Sequence, residues 1–250
     1  MCTLTIVPIQ AAHTRFLRLA FSRDESRLRT EARMPRCLIF GGREAVAPID
    51  PDSGGTWIAL SSAGLALAIM NVTPPKMPTG SPLHSRGTII PKLLEYGSLE
   101  EMLTMVESLD FAAFAPFRLV LASVDRIHAF EHQSDGVLTS QVNFPTTSLM
   151  FTSSGLGDAI VRQPRQELFQ EMILADPSAG SQDAFHRHRW ADRPHVSVSM
   201  ARSDARTVSY TTIELGEGQG RLTYFSDSPD QPVQPRPHVV RFSSLEAACS

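Results

Sequence analysis

Residues 1–8 read Met1-Cys2-Thr3-Leu4-Thr5-Ile6-Val7-Pro8. Thr3 to Ile9 is rich in β-formers and is marked by Pro8, so it reads as a short first strand. Directly before it stands Cys2, one of three cysteines in the chain. Chain termini fray, and a thiol at a frayed end is a liability unless it is buried or used. A small residue after the initiator methionine is the context in which that methionine is removed. Cys2 would then carry a thiol, with an ordinary pKa near 8.5, and a free α-amine at about 7.7–8.0. Nucleophile and base on one residue make an activated nucleophile without a separate histidine. The plain alternative is a small residue that happens to open an edge strand.

The composition is that of a packed protein. Of 250 residues, 42% are hydrophobic and 20% charged, ordinary for a globular chain at the upper end of one domain's size. A net charge of −3 argues against nucleic acid as a partner, which needs a basic domain. Cys2, Cys37 and Cys249 share no motif spacing and read neither as a disulfide framework nor as a metal site. A reducing, cytoplasmic setting is expected. Residues 1–12 lack the pattern of a secretory signal. The longest apolar stretch, Trp57 to Val72, is broken by Ser61, Ser62, Gly64 and Asn71, so no stable membrane insertion is expected.

Arg15 to Phe21 reads as a second strand ending in the polar turn Ser22-Arg23-Asp24-Glu25-Ser26, and residues 26–36 as a solvated loop. Thr56–Leu60 and Leu65–Asn71, around Ser61–Gly64, read as a hairpin. Residues 74–82 are a Pro-rich loop. Ser85-Arg86-Gly87 opens a helical stretch, Thr88 to Tyr96, stopped by Gly97. Ser98-Leu99-Glu100-Glu101 is a capping signal for the next helix. Phe117–Ser123, Arg126–Gln133 and Val137–Val142, with turns at 124–125 and 134–136, suggest a β-meander. Asp158 to Leu174 is an amphipathic helix, Val196–Ser199 a short strand, and Thr207–Leu215 with Gly220–Phe225 a final hairpin. The order predicts an α+β layered fold of mainly antiparallel sheets. A single domain is expected over 1–226, with 227–250 a Pro-rich, loosely packed tail.

Four motifs in order carry a family resemblance: Met1-Cys2, Arg23-Asp24-Glu25, Gly54-Gly55-Thr56-Trp57 with Gly64 and Asn71, and Ser85-Arg86-Gly87. Together they resemble the NRDE family, also called the transport-and-Golgi-organisation protein 2 family, over most of the first hundred residues. The resemblance implies an Ntn-hydrolase-like αββα four-layer sandwich, similar to the penicillin V acylase and bile salt hydrolase group. It implies Cys2 as nucleophile, its amine as base, Arg23 favouring the thiolate, Asp24 holding the ammonium, and Asn71 as oxyanion donor. The implied activity is an amidohydrolase acting on non-peptide C–N bonds, with no cofactor. The implied alternative is a non-catalytic binder of acyl-CoA or haem.

The chain departs from the pattern at three places. Ser22 replaces the motif's Asn. Asp24 adjoins Arg23, whereas the acylases place an Asp three residues on, where this chain has Ser26. On a regular strand Arg23 and Glu25 share a face and Asp24 does not. Phe151-Thr152-Ser153-Ser154-Gly155 lacks the family's Asn, with Ser153 or Ser154 as substitutes. Arg206 is placed to reach a substrate acid group, or to cap a turn, and His195 to border the pocket. His186 and His188 have no carboxylate or Cys at ligand spacing and read as an exposed polar helix end.

Overall fold

The computed structural model describes residues 2–11, 14–74, 84–133, 136–227 and 236–242. Strand β1 (Cys2–Ala11) lies antiparallel to β2 (Thr14–Ser26), and the period-2 alternation of strand side chains decides what each face meets. Cys2, Leu4 and Ile6 join the main apolar core. Thr3 and Thr5 point the other way, and Val7 sits in a second apolar cluster with Leu168, Phe169, Ile173, Phe185 and Val198. One strand thus divides two cores.

β1 belongs to a six-stranded sheet ordered β10-β1-β2-β11-β12-β13. Its other members are β10 (Leu149–Ser153), β11 (Ala205–Gly216), β12 (Gln219–Phe225) and β13 (His238–Phe242). The second sheet is a seven-stranded meander in chain order. It comprises β3 (Arg33–Phe40), β4 (Arg43–Ile49), β5 (Ile58–Ser61), β6 (Ala66–Asn71), β7 (Phe117–Ala122), β8 (Arg126–Gln133) and β9 (Gly136–Asn143). All strand pairs are antiparallel. Helices α1 (Ile89–Leu93) and α2 (Leu99–Glu107) pack Ile89, Ile90, Leu93, Met102 and Val106 on the meander. Helices α3 (Asp158–Phe169) and α4 (Ala179–Arg187) cover the six-stranded sheet. The result is the expected αββα sandwich. Helix α2 begins in the expected capping box, Ser98 with Glu101.

Beside the second apolar cluster, the layer between β1, β2 and the covering helices holds a buried polar network. Arg165 of α3 is 1% exposed. It donates to Thr3 Oγ1 at 2.9 Å, Thr152 Oγ1 at 2.6 Å, and the carbonyls of Val196 and Ser197 at 3.0 and 2.6 Å. His186 is fully buried and bridges Thr5 Oγ1 and Ser22 Oγ, each at 2.8 Å. Gln182 donates to the Thr5 hydroxyl and to the Thr5 and Arg18 carbonyls. Buried polar groups cost stability unless hydrogen-bonded, and here the partners come from the facing layer.

Five expectations are corrected. His186 is not at an exposed helix end, because Thr5 and Ser22 offer it two hydroxyls. Val196–Ser199 is not a strand, because Arg165 takes the Val196 and Ser197 carbonyls. The 26–36 loop is short, since β2 runs to Ser26 and β3 starts at Arg33. The hairpin over β11 and β12 is not final: β13 adds an edge strand within the expected tail and buries Val240 and Phe242. Cys37 is disulfide-bonded, a pairing that sequence spacing alone does not encode. The 75–82 part of the predicted loop, positions 134–135 of the predicted turn, residues 228–235 and residues 243–250 lie outside the described residues.

Burial holds His186 neutral, its pKa well below the usual histidine range. The unfolded chain protonates this ring near pH 6.5 while the native state does not, so folding stability falls as pH drops below that value. His186→Gln removes that proton from the unfolded state. Its stability is expected to fall by up to about 1.4 kcal/mol less per pH unit than wild type between pH 6.5 and 5. Urea titrations at several pH values check this; parallel curves contradict it.

Candidate active site

Cys2 opens β1 between β10 and β2, paired in register with Ser153 on one side and Arg23 on the other. It is a free thiol, 6% exposed. Its main-chain N–H donates to Ser153 Oγ at 3.1 Å. The main-chain N–H of Asp24 donates to its sulfur. Burial pushes the thiol pKa up; Arg23 and the terminal ammonium oppose this without overcoming it. The resting form is therefore the neutral thiol, although Arg23 alone would favour the thiolate.

Arg23 is held by acids. Its guanidinium lies 4.1 Å above the Trp57 ring and donates to Asp50 at 2.8 Å and Glu25 at 3.2 Å. The pair Arg23–Glu25 confirms that these alternate residues share a face. Asp50 also accepts from Arg29 at 2.9 Å and from the Asp52 and Ser53 amides. Burial raises the Asp50 carboxyl, but the bonds and charges of Arg29 and Arg23 win and hold it below the ordinary range.

Asp24 points to the opposite face of β2. It is 2% exposed and accepts from Thr207 Oγ1 at 2.6 Å. Burial raises its pKa, against the opposing charges of Arg165 and the terminal ammonium. β2 itself pairs regularly with β1 here, and the one register irregularity opposite this point of β2 is in β11, between Thr207 and Ser209. It does not turn the Asp24 carboxylate toward the sulfur; the Asp24 backbone makes that contact.

The glycine motifs meet each other. A Cβ on Gly55 would lie 2.3 Å from the Gly87 carbonyl oxygen, and Thr56 N–H bonds that oxygen at 3.1 Å. Only a residue without a side chain permits this approach, and it sets Arg86 in the cleft that Trp57 also lines. Cys2, Arg23, Asp50, Trp57, Met70, Asn71 and Arg86 thereby surround a cleft of about 150 Å³. A second cleft, about 260 Å³, shares Arg23, Glu25 and Arg29 with the first and includes Arg206, Val208 and Tyr224.

Of the predicted site residues, Cys2, Arg23, Asp24 and Asn71 are brought together at the first cleft. Arg206 borders the second and is ion-paired with Asp227 at 2.6 Å. Ser153 is fully buried against the Cys2 backbone, and Ser154 donates its N–H to Asp158 at 2.8 Å. Neither lines either of these clefts. His195 is exposed and lines neither. The sequence reading missed Asp50, Asp158 and Arg86. Asp50 had a signal, Asp50-Pro51-Asp52-Ser53-Gly54, the pattern of an Asx turn. Asp158 ties Ser154 to Thr73, joining the β10 and β6 ends across the sandwich; nothing local announces that.

A family model described as Transport and Golgi organisation 2 matches residues 1–185. Among solved structures, the chain is similar to a Caenorhabditis elegans ortholog of N-acylethanolamine-hydrolyzing acid amidase, at 11% identity and a TM-score of 0.59, covering 92% of this chain and 94% of that one. It is also similar to a mutant conjugated bile acid hydrolase from Clostridium perfringens, at 12% identity and a TM-score of 0.50, covering 99% and 95%. At such identities the likeness shows the fold, that of the N-terminal-nucleophile (Ntn) hydrolases. No curated protein sequence matches.

Two measurements check this electrostatic picture. Alkylation of Cys2 by iodoacetamide, followed by peptide mass, is expected to be slow at pH 7 and still rising above pH 9; a plateau below pH 8 contradicts a raised thiol. Asp50→Asn leaves buried Arg23 without its main acid and is expected to cost about 3 kcal/mol at pH 7. Because the folded Asp50 pKa is depressed, its contribution is present above about pH 4 and lost as pH falls further. Acid titration of Asp50→Asn should lack that limb.

Proposed function

The chain belongs to the Transport and Golgi organisation 2 family, and from that membership and its Ntn fold we propose a cysteine hydrolase that cuts a linear amide or related acyl bond. Met1 is removed, and the Cys2 nitrogen becomes the α-amine. That amine takes the thiol proton, and the sulfur attacks the substrate carbonyl carbon. The carbonyl π-pair moves to oxygen, where the Asn71 amide is the side-chain donor for the developing charge. Collapse breaks the C–N bond, and the α-ammonium returns its proton to the leaving nitrogen, which leaves a thioester. Water, deprotonated by the amine, then releases the acid and restores the thiol.

The observation that carries this reading is the placement of Cys2. The thiol lies in a polar cleft wall while its own nitrogen is held by Ser153 at 3.1 Å. A raised thiol pKa fits this scheme, since a neutral thiol needs a base and the amine on the same residue supplies one. Arg23 is a positioning group: neutralised by Asp50 and Glu25 and packed on Trp57, it holds the shape of the wall beside the sulfur.

A second reading, non-catalytic binding of acyl-CoA or haem, draws on one observation. With Ser154 at the position of the family's Asn, Asn71 is the one side-chain amide among the described residues lining the cleft. Intact mass of the protein from its own host, with acid-quenched mass after incubation with an amide panel, separates the two. The hydrolase reading expects Met1 to be absent, an acyl adduct on Cys2, and a loss of about a thousandfold or more in Cys2→Ala. Retention of Met1 sinks the mechanism. Binding of acyl-CoA or haem by Cys2→Ala without any turnover by wild type supports the second reading.

A further inference from the structure

The cations of the Cys2 cleft are not equivalent. Arg23 is paired with Asp50 and Glu25, and Arg29 with Asp50, Glu25 and Asp52. Arg86 is half-buried and lines the same cleft. Its bond among the described residues is to a carbonyl, Pro116 O at 2.9 Å; Glu25 acts on it across the cleft, but among the described residues no carboxylate is within ion-pair distance of it. A guanidinium has five donors in a planar fork matched to a carboxylate. Burial disfavours its charge more than Glu25 across the cleft favours it, and a cation held partly out of water without a directly bonded acid is costly. The chain nevertheless fixes it there by the Gly55–Gly87 backbone contact, which is possible only with glycine.

We propose that Arg86 is a specificity-determining residue that binds a carboxylate on the substrate, carried close to the scissile acyl bond. This deepens the hydrolase reading and rests on it. The incoming anion gives Arg86 the direct ion-pair contact that it lacks among the described residues. The cleft volume of about 150 Å³ suits a compact head such as a carboxymethyl group, and the substrate class is then an N-acylated amino acid, not a neutral amide. Arg86 acts on the ground state and the transition state alike, so its contribution falls on KM.

The test uses N-lauroylglycine and the neutral N-lauroylglycinamide, which share their acyl chain. Wild type is expected to favour the carboxylate by at least about tenfold in kcat/KM. Arg86→Gln is expected to lower kcat/KM for N-lauroylglycine by about 10- to 100-fold, mainly through KM, and to leave the neutral amide within about twofold. Arg86→Lys should restore part of the loss, since it returns the charge without the fork. Equal losses on both substrates overturn the proposal, because Arg86 then serves Cys2 or the fold. A parallel arm measures equilibrium binding of N-lauroylglycine to Cys2→Ala with and without Arg86→Gln. If wild type hydrolyses neither substrate but this binding depends on Arg86, the anion site stands and the hydrolase reading fails. If binding is indifferent to Arg86, the anion site fails whatever the hydrolysis shows.

Discussion

One buried guanidinium holds the arrangement on which the rest depends. Arg165 ties β1 through Thr3, β10 through Thr152, and the segment after α4 through the Val196 and Ser197 carbonyls. Sheet hydrogen bonds already pair β1 with β10, but they leave the outer face of that pair lined with hydroxyls. Those hydroxyls need partners, and Arg165 brings α3 down to supply them. With α3 in place, Asp158 at its first turn reaches Ser154 and Thr73. The ends of β10 and β6 are thereby tied where the cleft opens, and Ser153 stands against the Cys2 nitrogen.

The two faces of β2 do different work around the same cysteine. On the inter-sheet face Arg23 and Glu25 join Asp50 and Arg29 in an ion-paired network. On the helix face Asp24 is buried under Thr207 and near Arg165. Between them the Asp24 amide touches the thiol. Burial dominates the thiol's ionisation, and the Asp24 carboxylate adds to it, while the terminal ammonium and Arg23 pull the other way without prevailing. Counting Arg23 alone predicts a thiolate; counting burial and the Asp24 carboxylate as well predicts a thiol.

Most of the layered fold was legible in local patterns. The capping box at Ser98, the hairpin around Ser61–Gly64 and the meander from Phe117 to Val142 depend on near neighbours, which a sequence displays directly. The local patterns do not foresee strands β3, β4 and β10, and other misreadings involve partners far along the chain. His186 looks like an exposed helix end until Thr5 and Ser22 are seen 181 and 164 residues away. Val196–Ser199 looks like a strand until its carbonyls are claimed by Arg165, 31 and 32 residues away. His195, placed on that supposed strand, lost its route to the pocket with it. By sequence Ser153 reads only as a substitute for a missing Asn; in the fold it ends β10, and its hydroxyl is spent on the Cys2 backbone.

The sequence by itself determined an α+β layering of mainly antiparallel sheets, the strand that carries Cys2, and the alternation that puts Arg23 and Glu25 on one face and Asp24 on the other. These follow from periodicity and turn chemistry, which act over a few residues. The tertiary structure alone decided which charges are compensated and which are not. Asp50 reaches Arg23 from 27 residues away; Gly55 and Gly87 meet across 32 positions to set Arg86 in the cleft. Charge balance and burial are sums over everything nearby in space, and chain order does not list those neighbours.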